Sequence, residues 1–100
     1  EINYKEKISD ENRALKQIQN DLKLAVQKIT LTELASNQAE KAYKIRKDRF
    51  EQGMEKTSDV LQAESEMLFK KLENLQSINN YQQLVFRLEI LLDKDLTSKI

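Results

Sequence analysis

The chain has 100 residues, with basic and acidic side chains equal at 17 each, one glycine, and no cysteine, histidine or proline. A formal net charge of zero gives neither the basic footprint of a nucleic-acid binder nor the basic amphipathic face of a membrane-surface helix. The missing cysteine and histidine remove thiol chemistry, disulfides and the two commonest transition-metal ligands, and no apolar run approaches the ~18 residues that cross a bilayer.

Ala, Glu, Lys, Leu and Arg supply 48 of the 100 residues, a share that with helical periodicity points to long helices or a coiled coil. Glycine is the residue that most readily ends a helix in the left-handed conformation, and Gly53 lies close to the midpoint. The expectation is an all-α chain folded back once: a long antiparallel helical hairpin, coiled-coil-like. The chain begins Glu-Ile without Met, and we read it as a segment of a larger protein.

The first helix is predicted over residues 3–51, roughly 73 Å at 1.5 Å per residue. Ile8, Leu15, Ile18, Leu22, Ala25, Val26 and Ile29 carry the three-and-four spacing of an a/d seam. After Leu31 the stripe turns to small residues, Ala35, Ala39 and Ala42. About 14 residues at the start overhang the second helix, with Ile2, Tyr4 and Ile8 as their apolar contacts.

A tip turn is predicted over residues 52–57, with Thr57 or Ser58 as N-cap and Asp59 in the first turn, where the helix dipole favours an anion. The second helix is predicted over 58–92, with a stripe of Leu61, Leu68, Leu72, Leu75, Ile78, Tyr81, Val85, Leu88 and Leu92, and the tail 93–100 leaving the helix. A turn centred near residue 55 pairs Ile18 with Leu92, Leu22 with Leu88, Ala25 with Val85, Ile29 with Tyr81, Ala35 with Leu75 and Ala42 with Leu68. Every pair is apolar. Tyr81 and Phe50 fall on this seam, whereas Phe69 and Phe86 fall beside it and suggest a second apolar face for a partner.

The motif pass finds no glycine-rich phosphate loop, metal-ligand cluster or nucleophile with a histidine, and two helices enclose no pocket. We expect neither enzyme activity nor a cofactor. Glu40 with Lys44 and Glu66 with Lys70 are favourable i,i+4 pairs. Arg46, Lys47, Asp48, Arg49, Glu51, Glu55, Lys56 and Asp59 flank the turn, and read either as solubilising charge on an exposed tip or as a docking or gating surface of both signs.

Around the glycine the residues become distinctive. Arg49-Phe50-Glu51-Gln52-Gly53 followed by Asp59-Val60-Leu61-Gln62-Ala63-Glu64 resembles the signature of the TolC family of outer-membrane efflux proteins. That pattern has an aromatic at Phe50, the glycine three later, and an Asp six beyond it followed by Val or Leu, Leu, and Ala, met here by Asp59, Val60, Leu61 and Ala63. Ala39-Glu40-Lys41-Ala42-Tyr43 upstream, and Asn80-Tyr81 with Leu84 and Leu88 downstream, resemble the flanking stretches, so the likeness covers about residues 20 to 95.

The resemblance implies a periplasmic hairpin of a trimeric outer-membrane duct, one of two per protomer in an α-barrel. Its tip would meet a periplasmic adaptor (membrane fusion) protein and, through it, an inner-membrane pump, with no nucleic-acid partner and with this segment outside the bilayer. The implied docking and gating tip is Arg49, Phe50, Gly53, Met54, Glu55, Lys56, Thr57, Ser58, Asp59 and Gln62. Asp59 matches a tip aspartate that lines the entrance constriction in the family. A second acid of that pattern falls at Gln62, the gating tyrosine and arginine fall at Phe50 and Glu55, and the small hydroxyl residue three after the glycine is Lys56. The hairpin of the adaptor itself and a structural coiled-coil scaffold are the alternative readings.

Overall fold

The computed structural model describes the backbone of residues 2–99 and the side chains of residues 9–94. The fold is all-α, an antiparallel hairpin of two helices, α1 (Ile2–Glu51, 50 residues) and α2 (Thr57–Lys99, 43 residues). α2 does not stop at residue 92: no glycine or proline follows Gly53, so nothing in the tail opposes helix propagation. The side chains of Ile2, Tyr4 and Ile8 lie outside the described residues.

α1 ends in a Schellman motif. Gly53 has φ +77°, its N–H donates to the Phe50 carbonyl at 2.9 Å, and the Met54 N–H donates to the Arg49 carbonyl at 2.8 Å. These are the two bonds that satisfy the last carbonyls of a helix closed by a left-handed residue. α2 begins one residue earlier than expected. The Lys56 carbonyl accepts from the Asp59 and Val60 N–H groups at 3.1 and 3.3 Å, which makes Lys56, and not Thr57 or Ser58, the N-cap. A lysine side chain has no acceptor for the first-turn N–H groups.

The hairpin divides into two compact units, one holding the residues up to Val26 with those from Asn79, the other spanning Gln27–Ile78. In the second unit the Thr32 hydroxyl donates to Asn74 Oδ1 at 3.0 Å. Thr32 and Asn74 lie 21 residues before and after Gly53, so the pairing there centres on the glycine and not on residue 55. The expected second-unit pairs, Ala35 with Leu75 and Ala42 with Leu68, are therefore corrected by four residues, one helical turn. The physical reason is the cap: Gly53 reverses the chain at once, and α2 starts straight after Lys56.

A continuous stripe of covered positions runs Leu15, Ile18, Leu22, Ala25, Ile29, Thr32, Ser36, Ala39, Tyr43 on α1 and Val60, Ala63, Met67, Lys70, Asn74, Ser77, Tyr81, Leu84, Leu88, Leu91 on α2, with Ala35, Ile78 and Val85 among the half-covered residues beside it. The two stripes have the three-four spacing of knobs-into-holes packing. In the first unit the seam is apolar, with Leu15, Ile18, Leu22 and Ala25 on one side and Tyr81, Leu84, Leu88 and Leu91 on the other; Leu15 and Leu91 share one small pocket. In the second unit it is mixed: Ala63 and Met67 are buried together with Ser36 and Ser77, and Ile29, Thr32, Tyr43, Val60, Lys70 and Asn74 are half-covered.

The large apolar residues of the second unit face away from its seam. Leu61, Leu68, Leu72 and Leu75 on α2 are 50–62 % exposed, as are Leu31, Leu34 and Ile45 on α1 at 54–66 %. This overturns the expected place of the four α2 leucines between the helices; Val26, Leu92 and Ala42, also expected on the seam, are likewise exposed. The cause is phase. Tyr81, Leu84, Leu88 and Leu91 fix the inward face of α2, and an unbroken helix carries that phase back by sevens to Asn74, Met67 and Val60. The leucines one position later then point outward. Phe50, 42 % exposed, is also off the seam. Phe69 and Phe86 lie outside it, as the sequence suggests.

Candidate functional site

The tip of the second unit holds the residues that the resemblance singles out. Gln52, Gly53, Met54 and Lys56 are exposed, as are Thr57 and Ser58 at the start of α2. Met54 is 72 % and Phe50 42 % exposed, on either side of the glycine in the chain. In a Schellman motif the residue after the left-handed position usually makes an apolar contact with the third-last helical residue. Here those residues are Met54 and Arg49, and Met54 points to solvent.

Charge closes the turn instead. Glu55 is the one side chain of the turn that is mostly covered, at 13 % exposure, against 47 % for Arg46 and 59 % for Arg49. Its Oε2 lies 3.7 Å from Arg46 Nη1 and its Oε1 lies 3.6 Å from Arg49 Nη1. Both separations exceed the 2.7–2.9 Å of a charge-assisted hydrogen bond, so these are ion pairs whose guanidinium N–H donors stay largely available. One carboxylate thus ties the turn to the last two turns of α1.

Arg46 also opens onto a shallow pocket of about 130 Å³ that it shares with Asp59, Gln62, Ala63 and Glu66. The tip residues therefore fall into two groups. Arg49 and Glu55 join through the ion pair, and Asp59 and Gln62 meet at the pocket. Arg46 belongs to both. It was legible only as one charge among several, although it continues the three-four stripe one step beyond Tyr43 and so had to stand at the end of the seam. Farther from the tip, Glu40 and Lys44 pair at 3.7 Å as expected, while Lys70 pairs with Glu73 at 3.7 Å, a different partner from the Glu66 of the sequence reading.

No group of acidic residues suited to a metal ion occurs among the described residues, and no helix there is long and apolar enough to cross a membrane. Comparison with protein-family models, with curated proteins and with solved structures gave no match.

Proposed function

We propose that this hairpin is the periplasmic, tip-bearing element of a TolC-like outer-membrane efflux duct, non-enzymatic, assembled as a trimer and docked at its tip by an adaptor protein of a tripartite pump. The observation that carries the reading is the inside-out character of the second unit. Its buried residues are Ala63, Met67, Ser36 and Ser77, while Leu31 and Leu34 on α1 and Leu61, Leu68, Leu72 and Leu75 on α2 are exposed. Burying one such leucine is worth about 1.5–3 kcal/mol, so bare apolar sides on both helices call for a neighbouring helix on each. Two different patches that each need a partner make head-to-tail contacts, which close into a ring where the rotation between copies closes. A wall of hairpins around a tunnel is such a ring.

The tip supports the docking half of the proposal. Phe50 and Met54 offer an apolar knob set among Lys47, Asp48, Glu51 and Lys56, all exposed. The mixed charge gives orientation to a docking partner, and the apolar pair gives it area.

Crosslinking in the parent cell tests the reading, with single cysteines at Met54 and at Lys56 of the full-length protein. Capture of a periplasmic adaptor supports the duct. Capture of cytoplasmic proteins alone refutes it and leaves a structural coiled coil; capture of an outer-membrane channel makes this hairpin the adaptor's own.

A further inference from the structure

We infer that the Arg46–Glu55–Arg49 contact is a salt-sensitive latch that sets the shape of the tip turn. Three observations carry this. Glu55 alone among the turn side chains folds back onto α1. The apolar contact that usually closes a Schellman motif is absent, because Met54 is exposed and its counterpart is Arg49. On the α2 side Lys56 caps without a side-chain acceptor, so that end of the turn gains no local hold either.

The charges around the latch favour two positions for Arg46. From α1 come Arg46 and Arg49; from α2, Asp59 and Glu66 line the pocket that Arg46 also borders; Lys56, next to Glu55, is exposed. Arg46 can face Glu55, as it does here, or turn into the pocket toward Asp59 and Glu66. The second position leaves Glu55 with Arg49 alone. A partner that brings its own carboxylate or guanidinium to the tip competes for the same groups, and salt weakens the latch because the Debye length shrinks to about 3 Å at 1 M. Nothing in this device depends on the hairpin belonging to a duct.

Amide hydrogen exchange on the full chain tests it, read at Gly53 and Met54, whose N–H groups hold the turn closed. Glu55→Gln should speed exchange at these two amides by roughly threefold to tenfold, the range two partly exposed ion pairs can supply. Exchange at Ser36 and Leu72, in mid-helix, should not change. In an Arg46→Gln/Arg49→Gln background the same Glu55→Gln change should have no further effect, and 1 M NaCl should reproduce the acceleration in the wild type only. Glu51→Gln, an exposed acid beside the turn, controls for net charge. The latch is overturned if Met54 exchange is unmoved by Glu55→Gln, if the acceleration persists without the arginines, or if it spreads equally to Ser36 and Leu72.

Discussion

The Thr32 hydroxyl meets Asn74 Oδ1 at 3.0 Å across the seam, each residue 21 positions from Gly53. The hydroxyl also lies 2.9 Å from the Lys28 carbonyl and 3.1 Å from that of Ile29, so one proton is shared between the local helix and the opposite one. A polar pair in an otherwise packed seam costs stability and specifies register. Here it is the contact that ties the second unit to one alignment.

That alignment can be read by crosslinking. A Thr32→Cys/Asn74→Cys chain is expected to form an intramolecular disulfide under mild oxidation, whereas Ala35→Cys/Leu75→Cys is not, because Leu75 is turned outward and such a bond needs Cα atoms within about 7 Å. Thr32→Val should lower stability by about 0.5–1.5 kcal/mol in urea denaturation.

Gly53 should tolerate a side chain sterically and resist it conformationally. A Cβ there meets nothing within 4 Å, yet φ is +77°. Gly53→Ala is expected to cost about 1–2 kcal/mol, and Gly53→Asn less, since asparagine visits the left-handed region more readily. Thermal unfolding followed by circular dichroism would rank the two.

Lys56 marks a site where stability can be gained. Lys56→Asn or Lys56→Ser supplies the missing acceptor at the α2 N-cap and should add about 1 kcal/mol, visible as a higher denaturation midpoint with unchanged slope.

The two halves of the hairpin should respond oppositely to truncation. Leu84, 9 % exposed, should lose about 2 kcal/mol or more as Leu84→Ala. Leu68→Gln and Leu72→Gln, at sites 55 % and 50 % exposed, should each change the monomer by less than about 0.5 kcal/mol. The same glutamines should lower the sedimentation coefficient of any self-associated form in analytical ultracentrifugation.

The hairpin architecture was legible because a lone glycine between two long periodic stretches has few other uses. The α1 stripe from Leu15 to Ile29 was legible too except at Val26, since Leu15, Ile18, Leu22, Ala25 and Ile29 are covered while Val26 is exposed. The α2 stripe near the tip was not. Two heptad phases overlap on it, Ala63-Met67-Lys70-Asn74-Ser77 and Leu61-Leu68-Leu72-Leu75, and hydrophobicity selects the second. Only the phase imposed by Tyr81, Leu84 and Leu88 shows that the weaker stripe faces inward. The N-cap was misplaced for a similar reason: Thr57 and Ser58 have the preferred chemistry, but the Schellman closure leaves the chain ready to become helical from Thr57, with Lys56 as the cap. The tip's ion pairs depend on side-chain reach across a turn, which spacing alone does not encode.

The unequal seam has a consequence for the order in which the chain folds. Contacts beside the turn are the cheapest to close, because the loop between them is short, and loop-closure entropy rises with separation. Yet the covered positions nearest the turn are Tyr43, Ala39, Ala63 and Met67, followed by the Thr32–Asn74 pair, while covered leucines such as Leu22 and Leu84 lie far along both arms. A zipper starting at Gly53 must therefore cross its weakest teeth before it reaches its strongest. Such a hairpin is expected to close slowly when alone, and any neighbour that covers the outer leucines as it forms would speed the closing.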